Sequence, residues 1–277
     1  MIELPESCNL TNQLNRSIRN KTIKTVEANR SPHKFAFYFK DDPDSYSGLL
    51  CGKVIDSVSA FGGKVEIFAK NTRILLSEDI NIRYFSEAEN VPPKHHLHIQ
   101  FDDGSSLVCS VKMYGVIYAF NEGENDNPYY IVAKEKPSPL LEEFNSEYFE
   151  NIIAEAKQTL SAKALLATEQ RIPGLGNGCL QDILFNAKIH PKTKLAALRG
   201  SNFELLYKSV KNTLLEMTEK CGRDTEKDLF GNSGGYKTIL SKSTYKKPCP
   251  VCGGEIVKQA YLGGNVYFCP NCQPLNA

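Results

Sequence analysis

The spacing of apolar positions divides the chain into stretches of different period. In MIELPESCNLTNQLNRSI, Leu10, Leu14 and Ile18 recur every four residues, which predicts an opening helix with Pro5 tolerated in its first turn. Glu3 and Glu6 fall near that helix start, where the macrodipole favours carboxylates. From Ile23 to Phe120 the period drops to two. KFAFYF, KVIDSV, KVEIFAK, TRILLS and NIRYF are rich in β-branched and aromatic residues and are separated by Gly, Asn or Asp, which predicts short strands. His96 to Phe101 alternates strictly, and Asp102-Asp103-Gly104 then turns the chain into SSLVCSVKM, a hairpin. His96 and His98 share one face of that strand; with no third ligand in sight they read as solvent-facing histidines.

Residues 122–138 lose the alternation and carry prolines, so the domain junction is placed there. From Asn145 the period is helical again. Tyr148, Phe149, Ile152, Ile153 and Ala156 mark one helix, and Lys163–Pro191 holds two more across the short loop Arg171–Asn177. Gly174 and Gly176 flank Leu175, and Asn177 then reads as the N-cap of a helix that buries Cys179, Leu180, Ile183, Leu184 and Ala187. The N–H groups at such a start attract anions, phosphate above all, and the glycines would let a nucleic-acid backbone come close. Ser201 and Glu204 predict a capping box ahead of Leu206, Val210, Leu214 and Met217. The polar, glycine-rich residues 222–237 read as a mobile functional loop. The expected domains are therefore a β-sandwich at 1–130, a helical domain at 131–240 and an appendage at 241–277.

That appendage carries the most specific chemistry. Cys249-Pro-Val-Cys252 and Cys269-Pro-Asn-Cys272 are sixteen residues apart, and each pair can put two thiolates on one side of a tight turn. EIVKQAYLGGNVYF between them reads as two strands joined through Gly263-Gly264. A zinc ribbon follows, with a closed and therefore structural Zn2+ that supplies folding energy; a redox-active pair is the weaker reading. The other five cysteines, Cys8, Cys51, Cys109, Cys179 and Cys221, are read as small buried hydrophobes of a reduced compartment.

Composition adds two points. The 277 residues contain no apolar run approaching a membrane span and no signal pattern, so a cytoplasmic protein without a membrane partner is expected. The net charge of +1 conceals an asymmetry: 16 basic against 22 acidic side chains in residues 1–150, but 17 against 10 in the remainder. Such a split suits a polyanion-binding surface built mainly by the C-terminal half.

In this combination the chain resembles the formamidopyrimidine-DNA glycosylase and endonuclease VIII family over essentially its whole length. Glu3-Leu4-Pro5-Glu6, Gly174-Leu175-Gly176-Asn177, the ILFNAKIHP run ending at Pro191 and FCPNCQ ending at Gln273 match in order, and PPKHHLHIQFDDG is similar to the strand-turn before the family's void-filling loop. The resemblance implies an α+β fold: a first helix with a β-sandwich, a helix–two-turn–helix domain and a four-cysteine zinc finger. It also implies base-excision repair by a bifunctional DNA glycosylase and AP lyase acting on double-stranded damaged or abasic DNA; nothing in the sequence demands more than a monomer. Such enzymes extrude the damaged nucleotide, whose C1′ is unreachable inside the stack. An N-terminal amine attacks C1′, the base leaves, a Schiff base forms and elimination cuts the backbone. On this chain Glu3 matches the acid/base carboxylate beside the amine, with Glu6 in the same motif. Lys64, in Phe61-Gly62-Gly63-Lys64, matches the lysine that faces the reacting sugar, Asn177 the phosphate-binding asparagine and Lys163 a DNA-contacting lysine.

Three positions depart from the family. Ile2 stands where the nucleophilic proline does, and methionine is normally trimmed only before small residues, so Met1 stays. The terminal amine is then primary and displaced by one residue, about 3.8 Å of chain. A shift of that order lowers rates steeply, although a primary amine still forms Schiff bases. Lys112-Met113-Tyr114 replaces the Arg-Arg-Phe wedge, and Gly264 aligns with the arginine that grips phosphates at the tip of the zinc hairpin. Two readings follow: an enzyme that excises an oxidised base, and an impaired relative that only binds abasic or kinked DNA.

Overall fold

The computed structural model describes residues 1–87 and 89–275. Helix α1 (Leu4–Ile18) buries Leu10, Leu14 and Ile18 along one face, as their spacing predicts, and lies against the N-terminal sheet. That sheet is built from β1 (Ile23–Ala28), β2 (Ala36–Tyr38), β3 (Ser57–Phe61), β4 (Lys64–Ala69), β5 (Thr72–Phe85), β6 (Leu97–Phe101) and β7 (Ser106–Asn121), with the short helix α2 (Tyr46–Leu50) after β2. Its order is β1-β6-β7-β5-β4-β3, and β2 adds parallel to β7. TRILLS and NIRYF, which look separate in the sequence, form the single long strand β5. Val65, Ile67 and Ile74 from one wing of the sheet share a core with Ile23, Ile99 and Phe101 from the other. The long pair β5–β7 is their common spine, and its register shifts between Glu78 and Ile80, where Glu78 takes a left-handed φ of 72°. A bulge of this kind re-aims neighbouring groups, and this one faces the candidate site.

The helical half comprises α3 (Pro128–Glu135), α4 (Ser146–Glu155), α5 (Ala162–Ala167), α6 (Asn177–Asn186) and α7 (Ser201–Glu219) around Phe149, Leu165, Leu180, Leu184, Val210 and Leu214. Asn127, Asn145 and Ser161 cap α3, α4 and α5 through their side-chain oxygens. The expected capping box at Ser201 does not form: Gly200, at φ 56°, is the N-cap and Ser201 already lies inside α7. Strands β8 (Val257–Tyr261) and β9 (Gly264–Phe268) make the terminal hairpin. Among the described residues no helix is long and apolar enough to cross a membrane.

Three expectations are corrected here. Residues 222–237 are not a mobile loop but a strap fastened to the N-terminal domain. Leu229 is fully buried in that domain's core, the Arg83 guanidinium donates to the carbonyls of Leu229 and Phe230, and Gln13 donates to Asp228. One apolar residue inserted between polar anchors is enough to fix a segment whose composition looks mobile. The histidines also differ from their solvent-facing reading: His96 is buried and His98 half-buried, since β1 pairs along β6 with Glu27 opposite His98. Of the cysteines read as buried hydrophobes, Cys109 and Cys179 meet that expectation, but Cys221 does not and is exposed.

Leu229→Ala is expected to destabilise the protein by ~2–5 kcal/mol, the range for a buried leucine. It should also raise hydrogen exchange across 222–237 well above that of the surrounding helices, as measured by mass spectrometry.

Candidate active site

The site is organised by a carboxylate. Glu3 precedes α1, and its side chain crosses to the start of α6, where it accepts the N–H groups of Gly176, Gly178 and Cys179 at 3.0, 2.8 and 2.8 Å. Arg223 of the strap adds a contact from Nη1 to Glu3 at 3.2 Å and grips Glu6 from Nε at 3.0 Å and Nη2 at 2.8 Å. Glu6 in turn accepts the Glu3 N–H at 3.1 Å. Burial would push the Glu6 carboxyl up, but the charge and hydrogen bonds of Arg223 prevail and hold it below its ordinary value.

This arrangement changes the reading of the glycine loop. Asn177 is the first residue of α6 and not its cap, which is Gly176. The anion at the helix start is the protein's own Glu3. The room left by the glycines is filled by protein as well: a Cβ on Gly174 would stand 2.4 Å from the Gly63 nitrogen, and one on Gly176 would stand 2.7 Å from the Glu3 carboxyl carbon. Gly174, at φ 81°, thereby closes the helical domain onto the Gly62-Gly63 turn between β3 and β4.

The bulge in β5 and the strap together hold the N-terminus. The Ile2 N–H donates to the Glu78 carbonyl at 2.8 Å, and the Ile2 side chain joins the core. The Met1 amine sits between Asp79 at 3.1 Å and Glu226 at 2.8 Å.

A cleft of about 470 Å³ opens between the two halves of the molecule and gathers most of the residues singled out in the sequence. Met1, Ile2, Glu3, Lys64, Met113, Tyr114, Lys163, Gly174, Gly176, Asn177 and Gly264 all line it. Glu6 lies beneath it against Arg223, and neither Lys112 nor the four cysteines reach its wall. Lys64 is buried, and burial lowers its pKa because its nearest acid, Glu78, is 3.8 Å away and only partly compensates. Lys163 is also buried and lowered by desolvation; its Nζ donates to the Tyr261 carbonyl at 2.5 Å. Asn177 Nδ2 donates to the Asn265 carbonyl at 3.0 Å. Both side chains matched to DNA-binding positions thus rest on the zinc hairpin. Met113 and Tyr114 stand exposed at the mouth, a thioether and a ring on the strand segment next to the bulge.

The hairpin is anchored by the cysteines. Sγ of Cys249 lies 3.8 Å from that of Cys272, and Sγ of Cys252 lies 3.4 Å from that of Cys269. A tetrahedron with Zn–S bonds of about 2.3 Å needs sulfur separations of about 3.8 Å, so the four residues fit the ion. All four positions are filled by thiolates, which makes the zinc structural.

Sequence reasoning missed Arg223, Asp79, Glu78 and Glu226. Arg223 and Glu226 sit in a polar loop whose charges look solvated, and Glu78-Asp79 sits inside a strand, where nothing in the pattern marks the bulge.

Comparison with known proteins agrees with this geometry. Residues 136–227 match the model of the formamidopyrimidine-DNA glycosylase H2TH domain, and residues 246–275 that of the zinc finger found in FPG and IleRS. Formamidopyrimidine-DNA glycosylase of Shouchella clausii is 30% identical over 286 residues, covering 99% of each chain. That of Bacillus subtilis is 29% identical, also over 99% of each. Among solved structures, the Lactococcus lactis Fpg in complex with DNA containing an abasic site superposes with a TM-score of 0.83 at 24% identity, covering 98% of this chain and 99% of that one. The MutM (Fpg) protein of Thermus thermophilus gives 0.80 at 21% identity, covering 99% and 100%.

Arg223→Met strands two buried carboxylates and should cost ~3–5 kcal/mol in denaturant unfolding. Glu6, whose folded pKa is depressed, contributes stability that is present above its ordinary value and lost as pH falls through the depressed one. The deficit of the Arg223→Met variant should therefore shrink in acid, where Glu6 is protonated in both proteins. Chelating the zinc should open residues 249–272 to proteolysis while the N-terminal core keeps its melting transition.

Proposed function

The chain belongs to the formamidopyrimidine-DNA glycosylase family, and from that premise we propose that it binds damaged or abasic double-stranded DNA across the interdomain cleft and cuts it as a glycosylase and abasic-site lyase, with Lys64 as the attacking amine. One observation carries this reading. Three amines face the cleft; that of Met1 is held between two carboxylates and that of Lys163 donates to the Tyr261 carbonyl, whereas Lys64 makes no side-chain hydrogen bond among the described residues. A buried lysine whose desolvation is only partly offset by its counter-ion, here Glu78, has more of its free base available at neutral pH, the condition for a Schiff-base lysine.

In base excision, Nζ forms a bond to C1′ as the glycosidic bond breaks and its electron pair leaves with the base. Nζ then loses a proton, the C1′–O4′ bond breaks as O4′ takes up a proton, and the open sugar is left as the iminium. At a pre-existing abasic site, Nζ adds to the C1′ aldehyde, water departs and an iminium forms. Loss of a C2′ proton then expels the 3′ phosphate. Glu3 is the carboxylate of the cleft that matches the family's acid/base group. Lys163 and Asn177 take the flanking phosphates by exchanging hairpin carbonyls for phosphate oxygens. Met113 and Tyr114 fill the gap in the stack left by the extruded nucleotide. A monomer suffices for this, since every residue invoked lines one cleft of one chain.

The second reading, a relative that binds abasic or kinked DNA without cutting it, is favoured by the same clasp on Met1 and by Gly264 at the hairpin tip. Borohydride trapping on abasic-site DNA, with mass mapping of the adduct, separates the two. We expect a cross-link at Lys64, lost in Lys64→Ala, whose yield climbs as pH is raised toward the ordinary lysine range. An adduct at Met1 would refute the assignment of the amine, and tight binding with neither adduct nor nick would leave the binding-only reading.

A further inference from the structure

Four of the chain's five histidines gather at the β1–β6 end of the N-terminal sheet, away from the cleft, and they form two pairs of different kind. In the His33–His96 pair, each Nδ1 accepts a backbone N–H, from Phe35 at 3.3 Å and from Val111 at 3.0 Å. Their hydrogens therefore sit on Nε2 in the neutral rings, which leaves no free lone pair to bind an ion. The other pair is reversed. His95 Nδ1 lies 2.9 Å from the Pro92 carbonyl, which only accepts, so Nδ1 carries the hydrogen. Its Nε2 points at the Glu27 carboxylate 2.9 Å away. In the neutral ring that contact sets a lone pair against a carboxylate oxygen, and it holds together only if a cation, a proton or a metal, lies between them.

His98 completes the group. It stands opposite Glu27 across the β1–β6 ladder, its ring is 5.3 Å from that of His95, and Ser106 Oγ lies 3.0 Å from its Nε2. One ligand atom from each of Glu27, His95 and His98 lies within 4.8 Å of the others. The carbonyl behind His95 is the outer-shell partner that orients a metal-bound imidazole and raises its basicity. One cation already competes: Arg30 Nη1 donates to both Glu27 oxygens, at 3.0 and 3.1 Å, from an exposed side chain.

We propose that Glu27, His95 and His98 form a second metal site, for a divalent ion of the zinc class, which clasps the edge strand β1 to β6. Two imidazoles and a carboxylate are the donors of such ions, and three protein ligands leave a fourth position for water. The site is open where the cysteine site is closed, so its ion exchanges while the structural zinc stays.

The test uses the full chain with its cysteine site loaded, dialysed against a modest excess of free Zn2+ and analysed for metal. Two zinc ions per chain are expected for the wild type and one each for His98→Ala and Glu27→Gln, with the second site weakened at least ~100-fold, beyond the ~10–100-fold that losing an outer-shell partner costs. Glu27→Gln alters a partly exposed side chain, so the comparison stands even if His98→Ala fails to fold. Arg30→Ala removes the competing cation and should tighten the second site. Co2+ in its place should show visible absorption without a thiolate charge-transfer band, and added zinc should raise the wild-type melting temperature but not that of Glu27→Gln. A single zinc in the wild type, or a second one that persists in either variant, would overturn the proposal.

Discussion

The meeting of Glu3, Glu6 and Arg223 with the start of α6 is the constraint on which the rest of the molecule depends. It joins three distant segments: the N-terminus, the glycine loop of the helical domain and the strap after α7. Its members are buried, so each charge is tolerable only while the others are in place. The helix N-terminus adds backbone dipoles that suit a carboxylate. Interdomain contact and site geometry are therefore one feature, because the carboxylate that binds the halves together also forms the floor of the cleft.

The N-terminus is fixed by the same logic. With Ile2 in the core and its N–H on the Glu78 carbonyl, the chain leaves Met1 little freedom, and the strap brings Glu226 to its amine. A small side chain at position 2 would leave that packing unfilled. The apolar residue at position 2 thus ties the end of the chain into the structure and holds the terminal amine at Asp79 and Glu226.

The zinc hairpin reaches the same cleft from the opposite side. Lys163, Asn177 and Gln181 donate to carbonyls of residues 261 and 265, so the metal that folds the hairpin also positions groups of the helical domain. These donors are satisfied within the chain itself. The Tyr261 carbonyl in particular avoids leaving the buried Lys163 without a hydrogen-bond partner.

What the sequence determined by itself was periodic or covalently local. The four-residue spacing of Leu10, Leu14 and Ile18, the alternation from Leu97 to Phe101, and the doubled cysteine pairs each carry their geometry in a short segment, because helix, strand and zinc knuckle are set by neighbours along the chain. The motifs around Glu3, Gly174 and Cys269 pointed to the family for the same reason. Only the tertiary structure decided who partners whom. That Glu3 and not a phosphate occupies the start of α6, that Arg223 leaves a seemingly solvated loop to bury itself between two glutamates, and that Glu27 comes to lie beside His95 and His98 all depend on contacts between residues far apart in sequence. A polar side chain has the same local signature whether it faces water or a buried partner, and the partner is chosen by the packing of the whole chain.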